Sequence, residues 1–240
     1  MKTSILFFVA ATLFATGCTY QYATVSSNMN QPDHSGFVTE NDSVRITYKF
    51  TGRNCPVQIT VYNKSDKPLY IDWKKSAVIV DMKSYTYWRD EAVFNAESKS
   101  SQVRWSDVFS TTTTTTTSGT ITRPESLIFI PPHAGIDASM VSIKQDPFKF
   151  GPDETPEKVD LKKTSAVTYY GTIRYFDEQH TPFRYRSYLT LSYEDTFKNS
   201  FAYENAFWVS EIMQTTASPK TIPDRGMAAN TFHIGYFPTN

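Results

Sequence analysis

Cysteine carries the most versatile chemistry in this sequence, and the chain has only two, Cys18 and Cys55. Cys18 follows a lysine near the start, an apolar stretch over residues 5–14 and three small residues, Ala15-Thr16-Gly17. A positive start, a short apolar segment and small residues before a cut are typical of an export signal. The apolar stretch is well short of the roughly 20 residues of a membrane-spanning helix, so we expect residues 1–17 to be removed.

The stretch Ala15-Thr16-Gly17-Cys18 resembles the lipobox of bacterial lipoproteins, with Ala15 at a position where that family most often has Leu. In the family the cysteine thiol carries a diacylglycerol, the signal is cut off before it, and the new amino group is usually acylated, which makes palmitate an expected modification. Two or more acyl chains hold a protein stably at a bilayer. The resemblance therefore implies that Cys18 is a lipid anchor; an ordinary secreted protein with a free Cys18 is the alternative.

A lipidated Cys18 leaves Cys55 without a disulfide partner. Because it stands between Asn54 and Pro56, we predict that Cys55 is a small buried side chain at the start of a strand. A reactive thiol is the alternative interpretation.

Composition limits the fold and the partners. Lys plus Arg and Asp plus Glu number 24 each, so the chain lacks the basic excess of a nucleic-acid-binding protein. Aromatic residues make up 15% of the chain and it has only 9 glycines, which favours strands. Alternating apolar and polar residues predict strands at 43–50, 56–63 and 69–73.

We interpret residues 18–41, which are polar and without apolar period, as a lipidated flexible tether, and residues 42–240 as a single elaborated domain. Residues 167–193 predict a hairpin, and Met82-Lys83 a tight turn. Residues 200–215 fit either a strand or an amphipathic helix, and their Trp, Phe, Val, Ile and Thr favour the strand.

Seven or more such runs without a long helix predict an all-β antiparallel sandwich with long irregular loops, one of them containing the threonine run Thr111–Thr117. The sequence ITVYNKSDKPLYIDWKKSAVIV and the corner at Pro131-Pro132 resemble uncharacterised lipoproteins of the phylum Bacteroidota that carry an immunoglobulin-like sandwich. The resemblance implies a fold and a compartment, and no catalytic residue.

Catalytic patterns are absent from the sequence: it has no nucleophile elbow, zinc-binding HExxH or phosphate-binding loop. Acidic pairs stand beside predicted turns, as at Asp177-Glu178, and the histidines are widely spaced: His34, His133, His180 and His233. We expect no enzyme, no cofactor and no metal site.

Exposed aromatic side chains are the better binding candidates. Trp105 in the irregular region, and Tyr170 and Tyr188 on the polar faces of their strands, are candidates for stacking on glycan rings, with core packing as the alternative. Asp42-Ser43-Val44 resembles the O-glycosylation signal of Bacteroidota, which implies a glycan on Ser43.

The sequence thus predicts a lipid-anchored envelope lipoprotein that acts as a non-enzymatic binding or structural module for an envelope protein or glycan. A surface glycan-binding lipoprotein is the alternative. Thr19 stands where Asp would signal inner-membrane retention, and residues 19–24 have no acid for surface export, so the resemblance implies an outer-membrane protein facing the periplasm.

Overall fold

The computed structural model describes residues 18–29, 36–88, 93–103, 112–122, 125–151, 155–163 and 167–237. In these ranges the chain forms strands and one short helix, α1 (Pro223–Gly226). Two sheets, antiparallel apart from one short parallel pair at an edge of the larger sheet, pack face to face around a shared apolar core. The predicted all-β sandwich is confirmed.

The larger sheet is organised around its longest strand, β16 (Ser200–Thr215). On one side β16 pairs first with β15 (Arg184–Ser192) and then with β14 (Thr168–Tyr175), and on the other side with β1 (Thr19–Ser27). The sheet also contains β4 (Gly52–Arg53), β6 (Leu69–Asp72), β7 (Ala77–Val80), β8 (Lys83–Thr86), β11 (Leu127–Ile130), β13 (Glu157–Lys163) and β17 (Thr231–Tyr236).

The smaller sheet has the strand order β12-β5-β3-β2. Its strands are β2 (Phe37–Glu40), β3 (Val44–Lys49), β5 (Pro56–Asn63) and β12 (Gly135–Ser142). In β5 the apolar Val57, Ile59 and Val61 are buried, while Gln58 and Thr60 between them are half-exposed. The alternation in the sequence therefore correctly predicts both this strand and the face that it buries.

Aromatic rings from the two sheets meet in the centre of the core. Phe37 and Tyr48 of the smaller sheet lie 5.6 and 5.1 Å from Phe207 of β16, ring centre to ring centre. Phe50, directly after β3, lies 5.4 Å from Tyr185 of β15. Edge-on and tilted contacts of this kind stabilise beyond simple burial of area, so these rings fix how the sheets stack.

The first two strands correct the sequence interpretation of residues 18–41 as a flexible tether, because β1 (Thr19–Ser27) and β2 (Phe37–Glu40) both lie in that range. β1 lies inside the larger sheet, between β16 and β17, with Tyr20 opposite both Thr215 and Gly235. Ala23 faces the main core, whereas Tyr22 belongs to a second apolar cluster. Because both faces of β1 are covered, its sequence lacks the clean alternation of a half-buried strand.

Two crossings between the sheets lie side by side and share one buried residue, Asn63. Its side-chain amide donates to the carbonyl of Lys67, in the turn between β5 and β6, and to the carbonyls of Ile130 and Pro131, where β11 leads to β12. The distances are 2.7, 3.2 and 3.1 Å. The predicted proline corner is thus confirmed as a place where the chain changes sheet.

Three further predictions can be compared with the structure. Residues 200–215 form a strand, as favoured. The hairpin predicted over 167–193 is wrong, because β14 and β15 pair with successive stretches of β16 instead of with each other. The tight turn between β7 and β8 lies at Asp81-Met82, one residue earlier than predicted, with positive φ at both residues.

The threonine run is also not an irregular loop. Residues 112–117 belong to β10 (Thr112–Thr122), which pairs along its whole length with β9 (Val93–Val103). In the described part of the chain these two strands form a separate sheet. The strand propensity of β-branched threonine prevailed over the lack of large apolar side chains.

Candidate functional site

Cys18 stands at one end of the larger sheet, directly before β1. Its side chain is half-buried and not in a disulfide, and its sulfur lies beside Gly235 of β17.

Strand register shows which residues share this end of the sheet. Tyr20 lies opposite Thr215 and Gly235, and Thr215 lies opposite Gly171 on its other side. The starts of β1 and β14 therefore meet the ends of β16 and β17. We call this part of the molecule the Cys18 end.

Three large apolar side chains at the Cys18 end are exposed to solvent. Phe237, directly after β17, is 68% exposed; Tyr170 of β14 is 64% exposed; and Val167, just before β14, is 48% exposed. An apolar side chain in water carries a cost, which contact with another apolar phase removes. Together these three side chains offer such a contact beside Cys18.

A shallow open groove runs along the same end, with a volume of 840 Å³. Tyr170 lines it together with the polar side chains of Lys158, Asp160, Gln214 and Thr215. The hydroxyl of Thr215 donates to the carbonyl of Tyr170 at 2.7 Å, which fixes the backbone beneath the exposed ring. Small-molecule sites are typically enclosed pockets. An open polar groove with one exposed ring is better suited to recognising the surface of a larger ligand.

Behind Cys18 the aromatic rings of Tyr20, Tyr22 and His233 contact one another, with centres 6.1–6.3 Å apart. The hydroxyl of Tyr22 donates to the carbonyl of Ala217 at 2.7 Å. The pKa of Tyr20 is raised, first by its side-chain hydrogen bond with Cys18 and then by burial. These three rings therefore pack together beside Cys18, at the start of β1.

His233 is partly buried and lies near the positive charge of Arg53. Its pKa is lowered, mainly by burial and also by the positive charge of Arg53. Its Nδ1 atom is buried and has no hydrogen-bond partner among the described residues. The ring is therefore held in its neutral form and serves packing.

Cys55 is fully buried directly before β5, as the sequence predicted. Its sulfur lies 4.0 Å from the hydroxyl of Tyr185, deep in the aromatic core. Burial raises the pKa of the Cys55 thiol, which disfavours the reactive thiolate. The buried interpretation is thus correct, and the reactive alternative loses its support.

The predicted glycan-stacking residues do not converge. Tyr170 and Tyr188 are both exposed, as expected, but Gly171 lies opposite Thr215 and Tyr188 opposite Glu204, eleven positions apart on β16. That separation is roughly 35 Å along a strand. The two tyrosines are therefore too far apart to form a common stacking platform. Trp105 lies outside the described residues.

The predicted O-glycosylation residue lies in a turn. Ser43 is half-exposed between β2 and β3, where its N–H donates to the side chain of Asn41 at 2.9 Å.

Two of the histidines pair with exposed acids in turns. His133 lies 2.8 Å from Asp66, and His180 lies 2.8 Å from Asp177, atom to atom. The hydrogen bond from His180 lowers the pKa of the Asp177 carboxyl. His34 lies outside the described residues. Both described pairs stand on open surface, where water screens the charges that acid–base catalysis would need.

Among the described residues, no three His, Cys, Asp or Glu side chains are grouped closely enough to bind a metal ion. In the same part of the chain, no helix has the length and apolar character needed to cross a membrane.

The sequence could not have singled out Phe237, because its place beside Cys18 depends on the pairing of β1 with β17. Comparison with the known protein families, with curated proteins and with solved structures found no match for this chain.

Proposed function

We propose that the protein is a lipid-anchored module of the bacterial envelope, joined to its membrane through Cys18 and acting by binding or structural contact. The observation that carries this proposal is the position of Cys18, which directly precedes the first strand of the described fold.

The structure also supports the role of Cys18 as a lipid anchor, in preference to a disulfide between Cys18 and Cys55. Cys55 is buried in the core near Tyr185, while Cys18 is half-buried at the sheet end. The two cysteines therefore serve different purposes. Cys18 keeps its thiol for the lipid, and Cys55 packs.

A non-enzymatic role is favoured by the surface described above. The polar groove near Cys18 is open, and the described histidine–aspartate pairs are exposed on turns. Neither arrangement provides the desolvated polar groups that shift a pKa for catalysis. We also propose that the sandwich is immunoglobulin-like. The proline corner between β11 and β12 supports this assignment.

The proposed location is the outer membrane, with the domain facing the periplasm. The partner is then another envelope component, protein or glycan. Surface glycan binding is the second candidate function, and the observation that favours it is the exposed Tyr170 ring in a groove with polar side chains. A panel of polysaccharides tests this alternative: binding that Tyr170→Ala abolishes would favour it.

Replacement of each cysteine tests the anchor, with one variant as the matched control for the other. Cys18→Ala should remove the lipid mass from the N-terminal peptide and the protein from the outer-membrane fraction. Cys55→Ala should retain both, because Cys55 is buried in the core. An unchanged outer-membrane fraction in Cys18→Ala, with no lipid mass in the wild type, would contradict the proposal.

Antibody access to a tag decides the side of the membrane. A tag in the turn between β7 and β8, where Met82 is 97% exposed, should be detected only after the outer membrane is opened. Detection on intact cells would reverse the proposed orientation and favour the surface glycan-binding alternative.

A further inference from the structure

The lipid anchor and the folded domain have no spacer between them. β1 begins at Thr19, the residue next to Cys18, and it is hydrogen-bonded on both sides. Consecutive Cα atoms are about 3.8 Å apart. Acyl chains on Cys18 would therefore hold the end of the larger sheet at the lipid headgroups.

Other residues reach the same depth as Cys18. Extending the register of β1 and β17 by one position places Phe237 beside Cys18, because Thr19 lies opposite Tyr236. On the far side of β16, Tyr169 is level with Cys18, since Gly171 and Tyr20 both lie opposite Thr215. Val167 lies beyond this level, at the point of the domain that would face the membrane.

The chemistry of these residues suits the boundary between lipid and water. A Tyr ring favours this zone because its apolar body enters the acyl region while its hydroxyl stays hydrated, and a Phe ring adds a purely apolar contact.

We propose that the Cys18 end is a membrane-docking surface, with Phe237, Tyr170 and Val167 seated in the interfacial region of the bilayer that holds the anchor. This inference rests on the proposed lipidation of Cys18. The occupant is the bilayer because the anchor keeps this surface against lipid at a high effective concentration, whereas another ligand would have to displace it.

The geometry also sets the orientation of the domain. β16 runs from Ser200 to Thr215, and its far end is level with Phe129, through the pairs Ser200–Ser192, Ser192–Tyr70 and Tyr70–Phe129. The larger sheet therefore stands end-on, with Phe129 remote from the membrane. Phe129 is 52% exposed, which makes it a matched control for Phe237.

Site-directed fluorescence tests the proposal on the lipidated protein. Phe237→Cys and Phe129→Cys are each labelled with a bimane dye; Cys18 is blocked by its lipid and Cys55 is buried. The proteins are placed in vesicles of phosphatidylethanolamine and phosphatidylglycerol that contain a lipid with a nitroxide near the headgroup. Near-ultraviolet circular dichroism checks that both variants are folded.

The dye at position 237 should be quenched by the nitroxide lipid and lose its quenching by aqueous iodide, while the dye at position 129 should show the reverse. Equal iodide quenching at both positions, with lipid mass present on the N-terminal peptide, would overturn the docking surface and leave the anchor intact. Nitroxide quenching at both positions would also overturn it, because the domain would then lie flat. Absence of the lipid mass would refute the proposed function itself.

Discussion

The buried Gln21 of β1 provides a direct test of whether this strand is part of the core. Its side-chain amide donates to the carbonyl of Phe148 at 3.0 Å, and its side-chain oxygen accepts from the N–H of Phe148 at 2.7 Å. Gln21 is 1% exposed. The Gln21 side chain thus pairs with the backbone of Phe148 as a neighbouring strand would, and it holds the irregular segment around Phe148 against β1.

Replacement of Gln21 by Leu leaves both backbone groups of Phe148 without partners. Each orphaned buried group costs about 1–3 kcal/mol, and the added apolar burial of Leu recovers about 1–2 kcal/mol. We therefore expect the free energy of unfolding to fall by about 3 kcal/mol. For a domain of this size the melting temperature would fall by about 6–12 °C.

Urea unfolding of the lipid-free chain from residue 18, followed by tryptophan fluorescence, measures this loss. Gln58→Leu is the control, because Gln58 is half-buried and donates a single hydrogen bond, 2.9 Å long, to the carbonyl of Thr51. It should cost about 1 kcal/mol. A loss below about 0.5 kcal/mol for Gln21→Leu would refute the reasoning, since a side chain in a flexible tether would behave in that way.

Other substitutions test the core, the buried groups and the separate sheet of β9 and β10. Phe207→Ala should destabilise by about 3–5 kcal/mol in urea unfolding because it empties the centre of the aromatic core, whereas the exposed Phe129→Ala should cost less than about 0.5 kcal/mol. The Cys55 thiol, buried and with a raised pKa, should react with a disulfide reagent at pH 8 only under unfolding conditions, and rapid reaction of the folded protein would contradict its burial. Since the folded-state pKa of His233 is lowered, its contribution should be present above the unfolded value of about 6.5 and lost as the pH falls below it, so His233→Gln should flatten the melting-temperature profile between about pH 7 and 5. Shortening the paired strands β9 and β10 by four residues each should change the unfolding free energy by less than about 0.5 kcal/mol, and a large loss would show that they pack on the sandwich.

Sequence alone predicts those strands whose two faces meet different surroundings. β5 alternates because Val57, Ile59 and Val61 enter the core while the residues between them face outward. β1 could not be found in this way, because both of its faces are covered and its polar Gln21 is satisfied by Phe148, 127 positions away. Local periodicity carries no information about a partner at that distance.

The candidate-site residues likewise differ in whether they depend on local sequence or on strand pairing. The proposed anchor at Cys18 rests on a local signal, because an export signal is read as a short sequence before the protein folds. The exposure of Tyr170 and Tyr188 can also be predicted from their strand faces, but their separation cannot, since it is set by the pairing of both strands with β16. Phe237 becomes a candidate only when the register of β17 is known.

The central place of β1 also constrains the order in which the protein becomes folded. The strand that leads from Cys18 pairs with β16 and β17, and the paired residues are synthesised between 180 and 217 positions later. Such non-local pairing is slow, because a long loop must close before any contact rewards it. Until β16 has emerged, both edges of β1 are unpaired and open to association with other chains. Under the proposed anchoring, Cys18 is thus among the first residues to be exported, while the strand that follows it is among the last to be paired on both edges.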